Sequence, residues 1–383
     1  MGRSKTTTRW FAAACALLIG VPSLLDAAEP TPPVWQGVWR GTVGTLAVRM
    51  CLAGDRVGPG DAIGSYYYLS RLRTIRLQQQ GASRVWVEGS DAPNRPPAPR
   101  WTFAEAGRDR LTGNWSGGGH SLPFRLARLA SDDDGAPCGT EAFNGPRWRP
   151  LTIAARPAVK DGVRYRTLVF GVGPAFTGIA LTGFELIGDD AATRRINAGL
   201  RERVPGPQED WRGCITGGLD AHGSDGDLDA TLAPTLITPR WLGAALSQDD
   251  ECGGVHPNSR TVPVTFDRAT GAAVDLYGWL NAAAVDRRRA TVTPAFRRLI
   301  IAKAGDIEPD CRDAFADEES WDIGLDRQGL TFRPDLPHAM QACADDVLVH
   351  WSSLASLLTA AGQAGRASLS ARRQASPALR QVS

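Results

Sequence analysis

The sequence has 383 residues, which is long enough for two domains with separate hydrophobic cores. Hydrophobic residues make up 43% of it and charged residues 22%, the proportions of a globular protein rather than of a disordered or membrane-embedded one. The formal net charge of +2 excludes the strongly basic character that non-specific binding to nucleic acid or to anionic membranes requires.

The first 28 residues have the pattern of a bacterial Sec-type signal peptide. A basic start is followed by an apolar run over 11–25 and by the small residues Ala27 and Ala28, after which cleavage is expected. The run is shorter than the roughly 20 residues of a transmembrane helix, and no other stretch is suited to cross a bilayer. We therefore expect the mature protein in the periplasm or outside the cell.

Six cysteines remain after residue 28, an even number that suits three disulfides in an oxidising compartment. A zinc site is the alternative, but no Cys-x-x-Cys pair is present, and we predict no metal or other cofactor. The sequence does not choose among the possible pairings. Our hypothesis is the pairing in chain order, Cys51–Cys138, Cys214–Cys252 and Cys311–Cys343.

Residues 30–130 are predicted to form a small antiparallel β module. Short segments with alternating apolar residues recur between Trp35 and Leu129, and turns rich in glycine and proline separate them. This spacing indicates a barrel or a meander. Five tryptophans of the module could fill its core or stack on the sugar rings of a cell-wall glycan: Trp35, Trp39, Trp86, Trp101 and Trp115.

Residues 131–150 are polar and rich in helix-breaking residues, which predicts a linker. An α+β domain with an antiparallel sheet and a few helices is predicted over 151–362. Its first strands are expected at 163–170 and 184–187. Asp189 or Asp190 would then cap a helix with apolar residues spaced by four.

The segment 220–229 is acidic and includes His222. Asp225, Asp227 and Asp229 alternate as in a calcium loop, but the glycine and glutamate that such a loop needs are absent. We interpret the segment as a solvated turn. His222 and Asp225 could alternatively form an acid–base pair.

The loop Cys252–Asn258 has the sequence Cys-Gly-Gly-Val-His-Pro-Asn and follows a strand predicted to begin at Trp241. Its glycines allow unusual backbone angles, its proline restricts the residue before it, and its cysteine can anchor it by a disulfide. A binding loop is built in this way, but so is a structural corner. The predicted binding residues are Gly253, Gly254, His256 and Asn258, with Trp241 and His338 included if the fold brings them near.

Beyond the loop, strands at 262–266 and 274–276 are predicted to form a hairpin, and Pro263 places one of them at a sheet edge. Thr293 is expected to cap a helix, and further predicted elements are a hairpin around 326–329, a strand at 347–349 and a last helix that ends at Gly362. Residues 363–383 have no apolar pattern and are predicted to be disordered.

Four features occur in a characteristic order: a helix with Ile196-Asn197, the Gly-Gly-Val-His-Pro-Asn loop, Thr265-Phe266-Asp267…Thr270-Gly271, and Pro337-His338…Val347…Leu354. With them, residues 150–362 resemble the extracytoplasmic domain of RsiV-type lysozyme-sensing anti-sigma factors and the non-catalytic region of PdaC-type peptidoglycan deacetylases. The resemblance implies an exported, non-enzymatic α+β domain at the cell wall, which in one branch recognises lysozyme. We expect neither sigma-factor control nor deacetylation, because the corresponding segments are not found.

Three functional hypotheses remain. The first is a non-enzymatic binding protein for a cell-wall glycan or for a wall-cleaving enzyme such as lysozyme. The second is a periplasmic hydrolase that uses His222 or His256 with a carboxylate, although none of the common hydrolase motifs is present. The third is a structural or assembly partner in the cell envelope.

Overall fold

The structure is a computed structural model, and it describes residues 32–54, 62–89, 97–133, 135–206, 210–305 and 307–369. The predicted signal peptide and the end of the predicted tail lie outside these residues. The described residues from Pro33 onward form one compact unit with both strands and helices. Within this part of the chain, no helix combines the length and the apolar character needed to span a bilayer.

Eight antiparallel strands form a closed barrel in the N-terminal part of the described chain. Each strand pairs with the next in sequence, and β1 pairs with β8 to close the barrel. The sequence predicted an antiparallel module here, with a barrel as one of two possibilities. The strands are β1 (Gly37–Val43), β2 (Leu46–Leu52), β3 (Ile63–Tyr68), β4 (Ile75–Gln79), β5 (Val85–Glu88), β6 (Arg100–Ala106), β7 (Arg110–Gly117) and β8 (His120–Leu129).

Aromatic side chains fill the interior of this barrel. Trp39 and Trp101 are fully buried, and Trp86 is buried beside them. Trp101 and Trp115 donate their indole N–H groups to Oε1 of Glu88, at 3.1 and 2.6 Å. The hypothesis of sugar stacking is therefore wrong for the buried tryptophans, because their faces are covered by other core residues.

A six-stranded sheet follows the barrel, in the order β14-β13-β12-β11-β10-β9, and only β11 and β12 run parallel. The prediction included β10 and parts of β11, β13 and β14. It missed β12, although the side chains of β12 alternate between exposed and buried. It also missed β9, because nearly all side chains of β9 are exposed and a strand without a buried face has no alternating pattern. The strands are β9 (Thr152–Lys160), β10 (Val163–Gly171), β11 (Ile179–Leu186), β12 (Asp227–Ile237), β13 (Trp241–Glu251) and β14 (Asn258–Asp267).

The segment between barrel and sheet is packed rather than extended. It contains a 3₁₀ turn (Pro137–Gly139) and the short helix α1 (Glu141–Asn144), and Phe143 is fully buried in it. The ring of Phe143 lies edge-on to Tyr67 of β3, with ring centroids 5.1 Å apart. Tyr67 shares a hydrophobic core with the six-stranded sheet, so this predicted linker is a packed connection between the two parts.

Two helices pack on the sheet, α2 (Ala191–Arg201) and α3 (Asp210–His222). Asp190 caps α2 as one of the two predicted caps, since its carboxylate accepts the backbone N–H of Thr193 at 2.9 Å. The sequence did not predict α3, which is rich in glycine. A Cβ at Gly218 would lie 2.4 Å from the backbone nitrogen of Gly226, so this helix needs glycine for a close contact rather than for flexibility.

The hairpin predicted after residue 262 is replaced by a different pairing. Strand β14 pairs along its length with β13, and only an isolated bridge joins Phe266 to Ala273. Leu276 begins a 3₁₀ helix instead of a returning strand. The strand at 262–266 was predicted correctly, but its residues do not identify its partner, and burial does not alternate there because Val262 is exposed and Thr265 and Phe266 are both buried. The edge position indicated by Pro263 is confirmed.

The C-terminal part surrounds a second large core with a three-stranded sheet. Thr293 caps α4 as predicted, and the hairpin around 326–329 is present. The elements are β15 (Val285–Asp286), β16 (Thr291–Val292), α4 (Pro294–Lys303), α5 (Pro309–Asp317), β17 (Trp321–Leu325), β18 (Gly329–Pro334), β19 (Val347–His350), α6 (Trp351–Leu354) and α7 (Ala360–Leu369).

Three disulfides join Cys51–Cys138, Cys214–Cys252 and Cys311–Cys343, which is the pairing in chain order. The first ties the barrel to the packed connection, the second ties the loop after β13 to α3, and the third ties α5 to a 3₁₀ helix at 338–343. Such bonds persist in oxidising compartments, so they fit a location outside the cytoplasm.

The predicted end of the last helix at Gly362 is wrong, and so is the prediction of disorder for 363–369. The predicted helix consists of α6 and a 3₁₀ turn at 355–357, and a separate helix, α7, extends from Ala360 to Leu369, whose side chain is buried. A Cβ at Gly365 would lie 2.4 Å from the ring of Trp279. The small residues of α7 therefore let the helix backbone approach an aromatic ring, although the same composition suggests disorder in the sequence.

Replacement of Gly365 by leucine is expected to displace α7 from Trp279, because the added side chain has no space. We expect the free energy of unfolding to fall by about 1–3 kcal/mol, the usual cost of overpacking. Chemical denaturation measures this loss. Ala364 is exposed on the same helix, so Ala364→Leu is the matched control and should leave stability unchanged; equal losses in both variants would contradict the docking of α7.

Candidate functional site

The loop between β13 and β14 is held against α3 by a disulfide and by close backbone contact. Cys252 is bonded to Cys214 of α3. Gly253 has a φ of 90°, and a Cβ there would lie 2.2 Å from the carbonyl oxygen of Gly217, so only glycine fits. Gly254 is not among the glycines with positive φ, and its predicted conformational role is therefore corrected. The loop is therefore anchored by the Cys214–Cys252 disulfide and by the close contact at Gly253.

Three of the predicted binding residues lie together at this end of the sheet. The rings of His256 and His338 are 5.8 Å apart between centroids. Asn258 donates from Nδ2 to Oδ1 of Asp250 at 3.4 Å. A groove of about 360 Å³ opens here. Its walls include Asp227, Asp229, Asp249, Asp250, Glu251, Pro257, Asn258, Ser259, His338 and Gln341.

Trp241 does not belong to this site. It begins β13, whereas the loop follows the other end of that strand, about 33 Å away at 3.3 Å per residue. Its side chain is buried against Trp279, and its indole N–H donates to Oγ of Ser368 at 2.6 Å. The sequence correctly predicted that the strand starting at Trp241 leads into the loop. Because the strand is long, Trp241 and the loop lie at opposite ends of it and cannot share a site.

Four carboxylates form an acidic face on β12 and β13, which we define as Asp227, Asp229, Asp249 and Glu251. In the strand register Asp227 lies opposite Glu251, and Asp229 lies opposite Asp249. Like charges directly opposite each other destabilise a sheet. None of the four takes part in an ion pair among the described residues. The acidic face is thus a local concentration of negative charge in a chain whose overall charge is nearly balanced.

The electrostatic cost of this arrangement is visible at Asp227. Partial burial raises the pKa of its carboxyl, and the neighbouring charges of Glu251 and Asp225 raise the pKa further. A carboxyl with a raised pKa holds its proton more tightly in the folded than in the unfolded state, so the stability it contributes is lost as pH rises through the folded-state pKa. At neutral pH the ionised Asp227 therefore opposes folding.

Replacement of Asp227 by asparagine is expected to stabilise the protein at neutral pH. The gain should be at most about 0.5 kcal/mol, because solvent screens a largely exposed charge. It should disappear near pH 4, where an ordinary aspartate is about half protonated. Urea denaturation at both pH values measures the difference. Asp109→Asn on the barrel is the control, and a destabilised D227N variant at neutral pH would contradict the assignment of repulsion.

A second cavity, of about 300 Å³, adjoins the acidic face and contains both members of the predicted acid–base pair. It is lined by Arg76, His222, Ser224, Asp225, Asp227 and Glu251. Nε2 of His222 and Oδ1 of Asp225 are buried there without a hydrogen-bond partner. The structure therefore brings His222 and Asp225 to one cavity, but no hydrogen bond between them is found in the described part of the chain.

The interpretation of this acidic segment as a solvated turn is wrong, because residues 220–222 end α3, residues 227–229 begin β12, and between them lies the ion-paired Asp225. Its Oδ2 accepts Nη2 of Arg147 at 2.5 Å and the hydroxyl of Thr74 at 2.9 Å. The side chain of Arg147 is fully buried, and that of Asp225 is 19% exposed. No sequence pattern predicted this ion pair, because Arg147 and Asp225 lie 78 residues apart. Among the described residues, no group of three or more carboxylate, imidazole or thiol side chains is arranged to hold a metal ion.

Sequence reasoning also missed the contribution of β13 to the acidic face. The run Asp249-Asp250-Glu251 immediately precedes the loop. This run was the sequence signal that could have indicated the contribution of β13. A run of three acidic residues at the end of a strand is unfavourable in a sheet unless something compensates it. Its pairing with Asp227 and Asp229 depends on the register of two strands, which only the folded chain shows.

No known protein-family model matches the sequence. No curated protein matches it either. Among solved structures, a DUF3298-family protein of Bacteroides fragilis is similar at 12% identity and a TM-score of 0.38, covering 58% of this chain and 97% of that one. A DUF3298-family protein of Pseudomonas aeruginosa is similar at 11% identity and a TM-score of 0.33, covering 55% and 94%. Neither similarity assigns a function at these values.

Proposed function

We propose that this is an exported, non-enzymatic binding protein that recognises a cationic protein of the cell envelope, such as a lysozyme. The observation that carries the proposal is the pair of like-charged cross-strand contacts, Asp227–Glu251 and Asp229–Asp249, beside the groove of the anchored loop. This arrangement costs stability in the isolated protein. A partner that brings lysine and arginine side chains to the face would remove the repulsion.

The groove adds shape and hydrogen-bonding groups to this charge. His338 and Asn258 line it, and the ring of His256 lies 5.8 Å from that of His338. The loop that presents His256 is anchored to α3, so little conformational entropy would be lost when a partner binds. The resemblance of residues 150–362 to a lysozyme-sensing domain supports a partner of this class. A glycan ligand is less well supported, because the buried tryptophans of the barrel offer no stacking surface.

Neutralising the acidic face is expected to weaken binding to a lysozyme at least tenfold, or about 1.4 kcal/mol. The change is the double variant Asp229→Asn/Asp249→Asn, which also relieves repulsion and should fold normally. Isothermal titration calorimetry at low and moderate salt gives the affinities. The loss should come mainly from slower association and should shrink as salt rises.

The matched control removes two exposed acids of the barrel, Glu105→Gln with Asp109→Asn. It should leave the affinity within twofold of the unchanged protein. Purified peptidoglycan is titrated in parallel. The proposal would have to be abandoned if lysozyme produced no saturable heat, or if peptidoglycan bound and the neutralised acidic face made no difference.

A hydrolase centred on His222 is the second candidate, because His222, Ser224 and Asp225 line one cavity. Asp225 is an unfavourable catalytic base, because its carboxylate is ion-paired with Arg147. The test is mass spectrometry of fragments released from peptidoglycan. Release that is lost in the His222→Ala variant would favour this candidate over the binding function, and absence of release would remove it.

A further inference from the structure

Strand β9 is an open edge of the six-stranded sheet, since β10 is the one strand that pairs with it in the described part of the chain. Seven of its nine residues are exposed. A free edge presents unpaired backbone N–H and C=O groups that can pair with another chain. This edge lies at the opposite end of the strand order from β14, which carries part of the groove assigned above.

One face of β9 is an uninterrupted row of apolar residues. The register with β10 places Ile153, Ala155, Pro157 and Val159 on the same face, because side chains two residues apart share a face. Ile153 is 57% exposed and Val159 is 65% exposed. Exposed aliphatic residues in such a row are typical of an interaction surface.

A groove of about 740 Å³ opens at the middle of this row, where Ala155 and Pro157 line it, and its other walls include arginines. Val159 lies opposite Arg164 and Pro157 lies opposite Arg166 in the register of β9 and β10. Arg268 and Ile187 complete the groove, and Ile187 is 48% exposed. The volume lies within the range of ordinary ligand sites.

The charges around the groove favour an acidic occupant. Arg164 has no ion-pair partner among the described residues, while Arg166 shares the single carboxylate of Glu185 with Arg201, at 2.9 and 3.0 Å. The opposite face of β9 adds Arg156 and Lys160. Charged residues and Pro157 on an edge strand prevent indiscriminate pairing, and because all the charges on this strand are positive, they select for a strand of negative charge.

We propose that β9 and this groove bind an extended, acidic segment of a partner protein, which adds to the sheet as a further strand. Main-chain hydrogen bonds to the edge would supply affinity, and alternate side chains would supply specificity. One set would meet the apolar row together with Arg164 and Arg166, and the other would meet Arg156 and Lys160. The surface is separate from the acidic face and does not depend on the function proposed for it.

The probe for this surface is a fluorescein-labelled peptide of nine residues, matched to the nine residues of β9. Pairs of glutamates alternate with pairs of valines in it, so that both faces of the bound strand carry carboxylates and apolar side chains. Fluorescence anisotropy measures its affinity for the full protein. Arg164→Glu should weaken binding at least tenfold, whereas Arg298→Glu, at an exposed arginine of α4, should leave it within twofold. Hydrogen exchange should show that bound peptide protects the backbone amides of β9 and no other strand edge.

Four results would overturn the inference. The first is the absence of saturable binding up to about 1 mM peptide, the limit of weak affinity. The second is equal binding of the same peptide with lysine in place of each glutamate. The third is binding of phosphatidylglycerol vesicles with the same dependence on Arg164, which would make the surface a membrane contact. The fourth is a dimer, seen by sedimentation, that Arg164→Glu dissociates, which would make a second copy the occupant.

Discussion

Replacement of Arg147 by methionine is expected to lower the free energy of unfolding by about 3–5 kcal/mol, the usual cost of breaking a buried ion pair. The guanidinium is fully buried and pairs with Asp225 at 2.5 Å. It also donates to Oδ1 of Asn144 at 2.9 Å and to the carbonyl oxygen of Leu72 at 3.1 Å. Its plane lies over the ring of Phe176, 4.5 Å from the centroid. One side chain thus joins the barrel, the packed connection and the turn before β12.

Most of the expected loss of stability comes from the carboxylate of Asp225, which remains without its partner. Without Arg147, the partly buried carboxylate of Asp225 loses its ion-pair partner and retains Thr74 as its one side-chain donor among the described residues. The double variant Arg147→Met/Asp225→Asn should therefore recover part of the loss, which a double-mutant cycle by urea denaturation measures. Arg147→Lys should recover little, because an ammonium group cannot reach all three acceptors. A loss below about 1 kcal/mol for the methionine variant, typical of an exposed pair, would contradict this account.

Removal of the disulfide Cys51–Cys138 is expected to have the second large effect, about 4–5 kcal/mol by the loop-entropy relation. The two cysteines are 87 residues apart, compared with 38 and 32 for the other two bonds. A longer loop has more conformations in the unfolded chain, so its cross-link removes more entropy. Both sulfurs are also buried in the core that the barrel shares with the sheet, so loss of the bond should loosen the barrel from the rest.

Thermal and chemical denaturation of Cys51→Ala/Cys138→Ala measure this loss. The matched control is Cys311→Ala/Cys343→Ala, whose shorter loop predicts a loss smaller by about 1 kcal/mol. Limited proteolysis adds a second measurement, since the first variant should expose the segment 131–150 to cleavage and the second should not. Equal losses and equal cleavage patterns would show that the first bond does not hold the barrel in place.

The two largest expected losses of stability therefore come from contacts between the barrel and the sheet. The proposed binding surfaces lie on the sheet itself. Arg147 and the first disulfide hold the parts together without touching the acidic face. Asp227 and its neighbours do the opposite, because their repulsion opposes folding and they form the proposed binding surface. Variants of the two groups should consequently separate effects on folding from effects on binding.

The sequence by itself determined the local elements. Alternating residues predicted most strands, Asp190 and Thr293 predicted two helix starts, and the composition of the loop predicted its anchored form. These features depend on residues close together in the chain. Propensity, capping and turn formation act over a few residues and are therefore visible in a sequence.

Only the tertiary structure decided which elements meet. Closure of the barrel requires β1 to pair with β8, and the acidic face requires the register of β12 and β13. The burial of Arg147 and the docking of α7 on Trp279 likewise depend on distant partners. Side-chain alternation states that a strand has a buried face but not what covers it, because strand pairing is a choice among many long-range contacts of similar energy.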